Sequence, residues 1–213
     1  MVKTMRRPYP PENLLEIDPV DPTAFEPALE LKEWILETFI SEDGELHNPD
    51  HVHISPWDDD LFKVLWASSA FIKAEQVVLG QTEKVMFNAG GWKKARQEKQ
   101  MIDWFGCVPK YLITIDAIYA SQASDADFCA LIEHELYHIG AKRDEDGNYL
   151  VSASTGEYKY FLRGHDVEEF HGVVQRYGAS DAVQKMVELA NEGPTIRKAN
   201  IAHACGTCLL KLA

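Results

Sequence analysis

The stretch "SDADFCALIEHELYHIG", residues 124–140, decides how this chain is read. Ser124 followed three residues later by Asp127 resembles a capping box, in which a hydroxyl accepts an orphan amide and an acid favours the positive helix end. A helix is therefore expected to start near Asp125 and to stop at Gly140. On such a helix, residues four apart stand one turn from each other on one face, so His134 and His138 aim their imidazoles at a common point. Glu135, directly after the first histidine, reaches a water on an ion held there without ligating the ion itself. His134-Glu135-Leu136-Tyr137-His138 is the HExxH pattern of zinc peptidases. A five-residue pattern also arises by chance, and two solvated histidines on a surface helix are the plain competitor. Phe128, Leu131, Leu136 and Ile139 weigh against that competitor, because they give the helix apolar faces to bury.

Outward from this helix, "KYLITIDAIYA" predicts a strand over Tyr111 to Asp116, read as an edge that could hold an extended peptide by backbone hydrogen bonds. "LFKVLWASSAF" and "EQVVLGQTEKVMF" are two further β-rich runs bounded by turn residues. Between them and the third run, "GWKKARQEKQMIDWFG" reads as a helix whose Trp92, Met101, Ile102 and Trp104 are packing residues. Earlier, "AFEPALELKEWILETFI" spaces Leu29, Leu31, Trp34, Ile35, Phe39 and Ile40 at helical intervals. "SEDGELHNPDHVHISPWDDD" reads as a polar surface loop, with His47, His51 and His53 solvated. After the motif, "DEDGNYLV" and "EYKYFLRG" predict paired extended segments, and "HDVEEFHGVVQRYG" and "SDAVQKMVELANEG" predict helices ended by Gly178 and by Gly193 with Pro194.

The expected class is α+β, a small mixed sheet packed on the HExxH helix with additional helices. Residues 1–22 read as a proline-rich N-terminal arm, 23–195 as the domain, and 196–213 as a C-terminal tail carrying a CxxC. The 213 residues, 46% of them hydrophobic, suffice for one good core. A net charge of −13 with only short basic clusters lacks the footprint of a duplex nucleic-acid binder. No run approaches the roughly 18 apolar residues that cross a bilayer, and no apolar region follows the basic N-terminus as a secretion signal would require. A cytoplasmic location is therefore expected. Oligomeric state is not written in the sequence.

Catalytic zinc takes three protein donors and leaves a fourth position for water. The third donor must come from elsewhere, and "RGHDVEEFHG" concentrates His165, Glu168, Glu169 and His171 about a hairpin's length after the motif. His165 ranks first, either sharing a helix face with Glu169 or standing just before a helix that Asp166 caps; Glu169 ranks second and Glu168 behind. Asp144, six residues after His138, is a minor candidate, since the glycine that the long form of the motif carries is replaced by Ala141. Asp166 or Glu168 could orient a ligating imidazole. His171, Tyr149 and Arg163 are candidate donors to a developing oxyanion.

"IEHELYHI" followed by "LRGHDVEEFHGVVQRYG", with "WFGCVPKYLITIDAIYA" upstream, resembles the phage metallopeptidase family over about Asp60 to Tyr177, and more distantly is similar to SprT-like zinc peptidases. The resemblance implies a minigluzincin-like zincin fold, a bound Zn2+, and hydrolysis of peptide bonds in a protein or peptide substrate, with Glu135 as general base. SprT-like enzymes open a later helix with the third histidine, which corresponds to His165; Phe170 falls one residue later than their spacing places a phenylalanine. The rival reading is a zinc-stabilised binding protein without peptidase activity.

Four cysteines, Cys107, Cys129, Cys205 and Cys208, are expected to be reduced in a cytosolic setting. Cys205 and Cys208 form a CxxC with His203 two residues before it. Two thiolates and one imidazole make an incomplete second metal site, which a partner chain, Cys107 or Cys129 could complete; a redox pair and unengaged thiols are the alternatives.

Overall fold

The computed structural model describes residues 6–18, 21–55, 57–73, 76–167, 171–199 and 205. Its centre is a four-stranded mixed sheet. In chain order the elements are α1 (Glu12–Leu15), β1 (Phe25–Pro27), α2 (Leu29–Ile35), β2 (Phe62–Ala67), β3 (Phe71–Lys73), β4 (Gln76–Val78), β5 (Gly80–Lys84), α3 (Gly91–Phe105), β6 (Tyr111–Asp116), α4 (Ala117–Gln122), α5 (Asp125–Tyr137), β7 (Ile139–Ala141), β8 (Tyr160–Leu162), α6 (His171–Tyr177) and α7 (Asp181–Glu192). The sheet order is β1-β2-β6-β5. β2 and β6 run parallel, Phe62 opposite Tyr111 through Ala67 opposite Asp116, while β1 and β5 flank them antiparallel.

The two parallel strands are central and nearly continuous in apolar residues, as strands covered on both faces must be. Phe62, Val64 and Trp66 of β2 and Tyr111, Ile113 and Ile115 of β6 share one face, which packs on Leu31 and Ile35 of α2 and on Phe128, Leu131, Ile132 and Leu136 of α5. Trp34, Trp66 and Phe128 meet as aromatic neighbours at 5.9 and 6.3 Å. This core seats α5 against β5, the edge strand, and so sets the motif's position.

Ser124 caps α5 as its sequence predicts, its Oγ accepting from the Asp127 amide at 3.2 Å and donating to the Asp127 carboxylate at 2.7 Å. The helix ends at Tyr137, before Gly140, with His138 as its C-cap. Gly140 lies instead in β7, paired with Phe161 of β8. A Cβ there would stand 2.7 Å from the Phe161 ring, so the glycine permits close strand approach in place of stopping a helix.

Several other expectations are corrected. Tyr111–Asp116 is internal, and the edge is β5, because β2 and β5 claim both its sides. "EQVVLGQTEKVMF" is divided between β4, which pairs only with β3, and β5. α3 forms where predicted but buries no residue, and Trp92 is 88% exposed with Ile102 also exposed; only Trp104 finds an aromatic neighbour outside the helix, Phe25. α2 continues as a π-helical turn over Leu36–Ile40, its end closed by Ser41 donating to the Leu36 carbonyl. His51 and His53 are buried rather than solvated; His47 is exposed. The described part of the N-terminal arm docks: Leu14 is buried, and Arg7 pairs with Asp125 at 2.7 Å and donates to the Ala120 and Ala123 carbonyls. Among the described residues no helix is long and apolar enough to cross a membrane.

Candidate metal centre

His134 lies in the last turn of α5 and His138 caps it, so the helix delivers both rings to one point beyond its end. The chain then runs out along β7 and returns along β8. Two reciprocal bonds tie the return to the helix end: the Arg163 amide donates to the His138 carbonyl at 2.8 Å, and His138 Nδ1 donates to the Arg163 carbonyl at 2.6 Å. That second bond places the ring proton on Nδ1 and leaves the Nε2 lone pair facing the cluster. The partner orienting this imidazole is thus a backbone carbonyl and not Asp166, which pairs with the Arg163 guanidinium at 2.6 Å.

Two residues past Arg163, His165 arrives on the irregular segment between β8 and α6. Its Nε2 stands 3.1 Å from His134 Nε2, which stands 3.3 Å from His138 Nε2. A fourth atom, Cys205 Sγ, lies 3.0 Å from His138 Nε2, and the four donor atoms all fall within 4.8 Å of one another. With Zn–N bonds of about 2.0–2.1 Å in tetrahedral array, neighbouring nitrogens stand about 3.3 Å apart, so the three imidazoles have the spacing and chemistry of a zinc donor set. Burial, then the adjoining His138 and His165 rings, push His134 down to about 4, so its ring is neutral at pH 7. Neutral imidazole is the form that binds metal.

Glu135 is fully buried between α5 and β5. Thr82 of β5 places its hydroxyl 2.9 Å from both Glu135 Oε2 and the Glu135 carbonyl oxygen. Gly80, two residues earlier on the same face of β5, is the other contact: a Cβ there would meet Glu135 Oε1 and Leu131 Cδ1 at 3.0 Å. The absent side chain lets the edge strand close onto the carboxylate.

The remaining sequence candidates fall elsewhere. Asp144 is exposed and folds its own turn, accepting from the amides of Asp146 and Asn148. His171 begins α6, exposed and outside the cluster. Tyr149 accepts from Arg143 and stacks beside His53. Glu168, Glu169, Phe170, His203 and Cys208 lie outside the described residues. Cys107 and Cys129 stand apart from Cys205, and burial pushes both thiols up to about 11. Cys205 therefore joins the three histidines rather than a separate site with either of them. Sequence reasoning missed Cys205 at this position and missed Thr82 and Gly80. The cysteine is far along the chain, and only the β5 register brings the other two against α5.

No curated protein and no solved structure is significantly similar to this chain. A family model described as Putative phage metallopeptidase matches residues 32–191, which span α2 to α7 and hold the HExxH helix and His165. Through that match over three quarters of its length, the chain belongs to the Putative phage metallopeptidase family.

Proposed function

We propose that the chain is a zinc-dependent peptidase of the bacterial or phage-infected cytoplasm, with a minigluzincin-like arrangement of sheet and HExxH helix. The working unit is residues 23–195, to which the 1–22 arm and the 196–213 tail are appended. His134, His138 and His165 hold the ion, and Glu135 is the general base. The observation that carries the reading is the convergence of three imidazole Nε2 atoms at 3.1–3.3 Å beside a buried glutamate that follows the first of them.

Zinc at that point supplies a Lewis acid and brings the pKa of a bound water to about 7. Glu135 takes the proton of the attacking water and delivers it to the leaving amine. Thr82 holds the carboxylate through Oε2, which fixes the direction in which the proton moves. The Nδ1 bond from His138 to the Arg163 carbonyl holds the ring in its ligating tautomer. β5, at the edge of the sheet, is the strand on which an extended peptide would pair. His171, at the start of α6, is the side chain we assign to the developing oxyanion.

A second reading has one observation in its favour. Cys205 makes a fourth donor, and closed four-donor sites are structural. In a purely structural site, however, the buried Glu135 with its Thr82 partner has no task. The two readings part on one experiment, zinc analysis with a broad peptide-library digest. Glu135→Gln is expected to keep one zinc and to lose hydrolysis by about 10²–10⁴-fold, the range of a general base. His134→Ala is expected to lose the metal. Equal hydrolysis by Glu135→Gln and the parent would remove the proposed base.

A further inference from the structure

Cys205 is not used by the mechanism, yet it sits where that mechanism needs access. It is 8% exposed, with Sγ 3.0 Å from His138 Nε2. Its backbone forms a parallel bridge with Gly80. Gly80 already pairs with Ile115 of β6 through its other side, so Cys205 takes the free side of the sheet edge. Gly80 is also the residue whose missing side chain leaves room for Glu135 Oε1. One residue therefore stands in two places at once: its sulfur lies among the three imidazoles, where it would serve as a fourth donor in place of water, and its backbone takes the edge on which an extended substrate would pair.

We propose that Cys205 is a latency ligand, a fourth donor that closes the ion and blocks the sheet edge until it is displaced. The inference rests on the peptidase reading above. Ligation requires the thiolate, so the Sγ proton passes to solvent when the sulfur–metal bond forms. On opening, that bond breaks, water takes the vacated corner, and the thiolate recovers a proton from solvent. No electron changes hands, so displacement by a competing peptide or by a change in the tail's position suffices.

The test uses the full chain with Cys208→Ser in both proteins, so that the neighbouring thiol cannot substitute, and compares Cys205 with Cys205→Ser. Loaded with Co2+, the parent is expected to show a thiolate-to-cobalt charge-transfer band in the near ultraviolet. Cys205→Ser is expected to lose that band while still binding one cobalt. Alkylation at Cys205, mapped by mass spectrometry, is expected to be slow in the metal-loaded parent and fast after chelation. With zinc, Cys205→Ser is expected to digest the peptide library about tenfold faster or more, the factor regained when a competent state populated at a tenth or less becomes fully populated. Cobalt bound without the band, with Cys205 alkylated equally in both conditions, overturns this inference and leaves the peptidase reading standing. Loss of the metal in Cys205→Ser, or loss of the band with no gain in hydrolysis, overturns latency and makes the thiolate a structural donor. If neither protein binds cobalt, the peptidase reading itself fails.

Discussion

Two groups of histidines meet the end of α5, and they differ in one respect. His51 lies 1% exposed with its ring 4.7 Å from that of Tyr137, and His53 Nε2 bonds the Ile139 carbonyl at 2.5 Å. His134, His138 and His165 turn three Nε2 atoms toward one another. Burial acts alike on the two groups, pushing both His51 and His134 down to about 4. What separates them is direction. His53 spends its nitrogen on backbone, and the nearest carboxylate oxygen to His51 Nε2, on Glu133, is 3.9 Å away. A desolvated imidazole is common to any histidine in a core; only convergent lone pairs make a seat for a cation.

The comparison breaks most visibly in metal affinity. An apparent zinc binding energy of about 10–16 kcal/mol shared over three or four donors assigns about 2.5–5 kcal/mol to each, so His165→Ala is expected to weaken zinc binding by on the order of 10²–10⁴-fold. His51→Phe, which keeps a ring of similar volume, is expected to leave affinity unchanged by competition titration. Equal losses in the two variants would erase the distinction.

The same pair sharpens it in acid. His51 is neutral in the native state down to about pH 4, whereas the unfolded chain takes up that proton near 6.5. Between those values the unfolded state binds more protons, so native stability falls as pH falls from 6.5 towards 4 and is fully present above 6.5. At pH 5 the loss is about 2 kcal/mol relative to pH 7. Denaturant titrations of His51→Phe at both pH values are expected to show that loss shrink by this amount, and an unchanged slope would mean that His51 is not the titrating group.

The smallest effect concerns the proposed base. Thr82→Val removes the hydroxyl that holds Glu135, and about 1 kcal/mol of orientation corresponds to a fall in kcat of about fivefold to tenfold with zinc content intact. A rise in KM with kcat unchanged would place Thr82 in substrate binding instead.

The sequence showed those parts that depend on local chemistry. The Ser124 cap and the four-residue spacing of His134 and His138 are written within one helix, and the extended run before His165 is legible too, but its strand partner is Ile139–Ala141, which reads as the helix end, and not the DEDGNYLV run, which meets it at the isolated Val151–Tyr158 bridge. The HNPDHVH run, denser in histidine than the motif, gave the opposite impression of its own environment. Its burial comes from Tyr137, Ile139 and Tyr160, which are distant in the chain, while composition reports only polarity. Edge status was also hidden, because Tyr111–Asp116 and Gly80–Lys84 exchange roles only once β2 pairs in parallel with β6. α3 shows the reverse failure: Trp92 and Ile102 stand on a helix as predicted but remain exposed, and Trp104 meets Phe25.

The exchange of bonds between His138 and Arg163 bears on the order of events. Because β7 and β8 already clasp the two strands together, with Phe161 laid over Gly140, the cost of closing the 27-residue excursion from His138 to His165 is met by the polypeptide before any ion arrives. A cation bound there would enter a finished seat instead of organising one. Chelated protein is therefore expected to keep its circular dichroism spectrum and reload without a folding step, the behaviour of a tool with a removable blade rather than of a fold stapled by its metal.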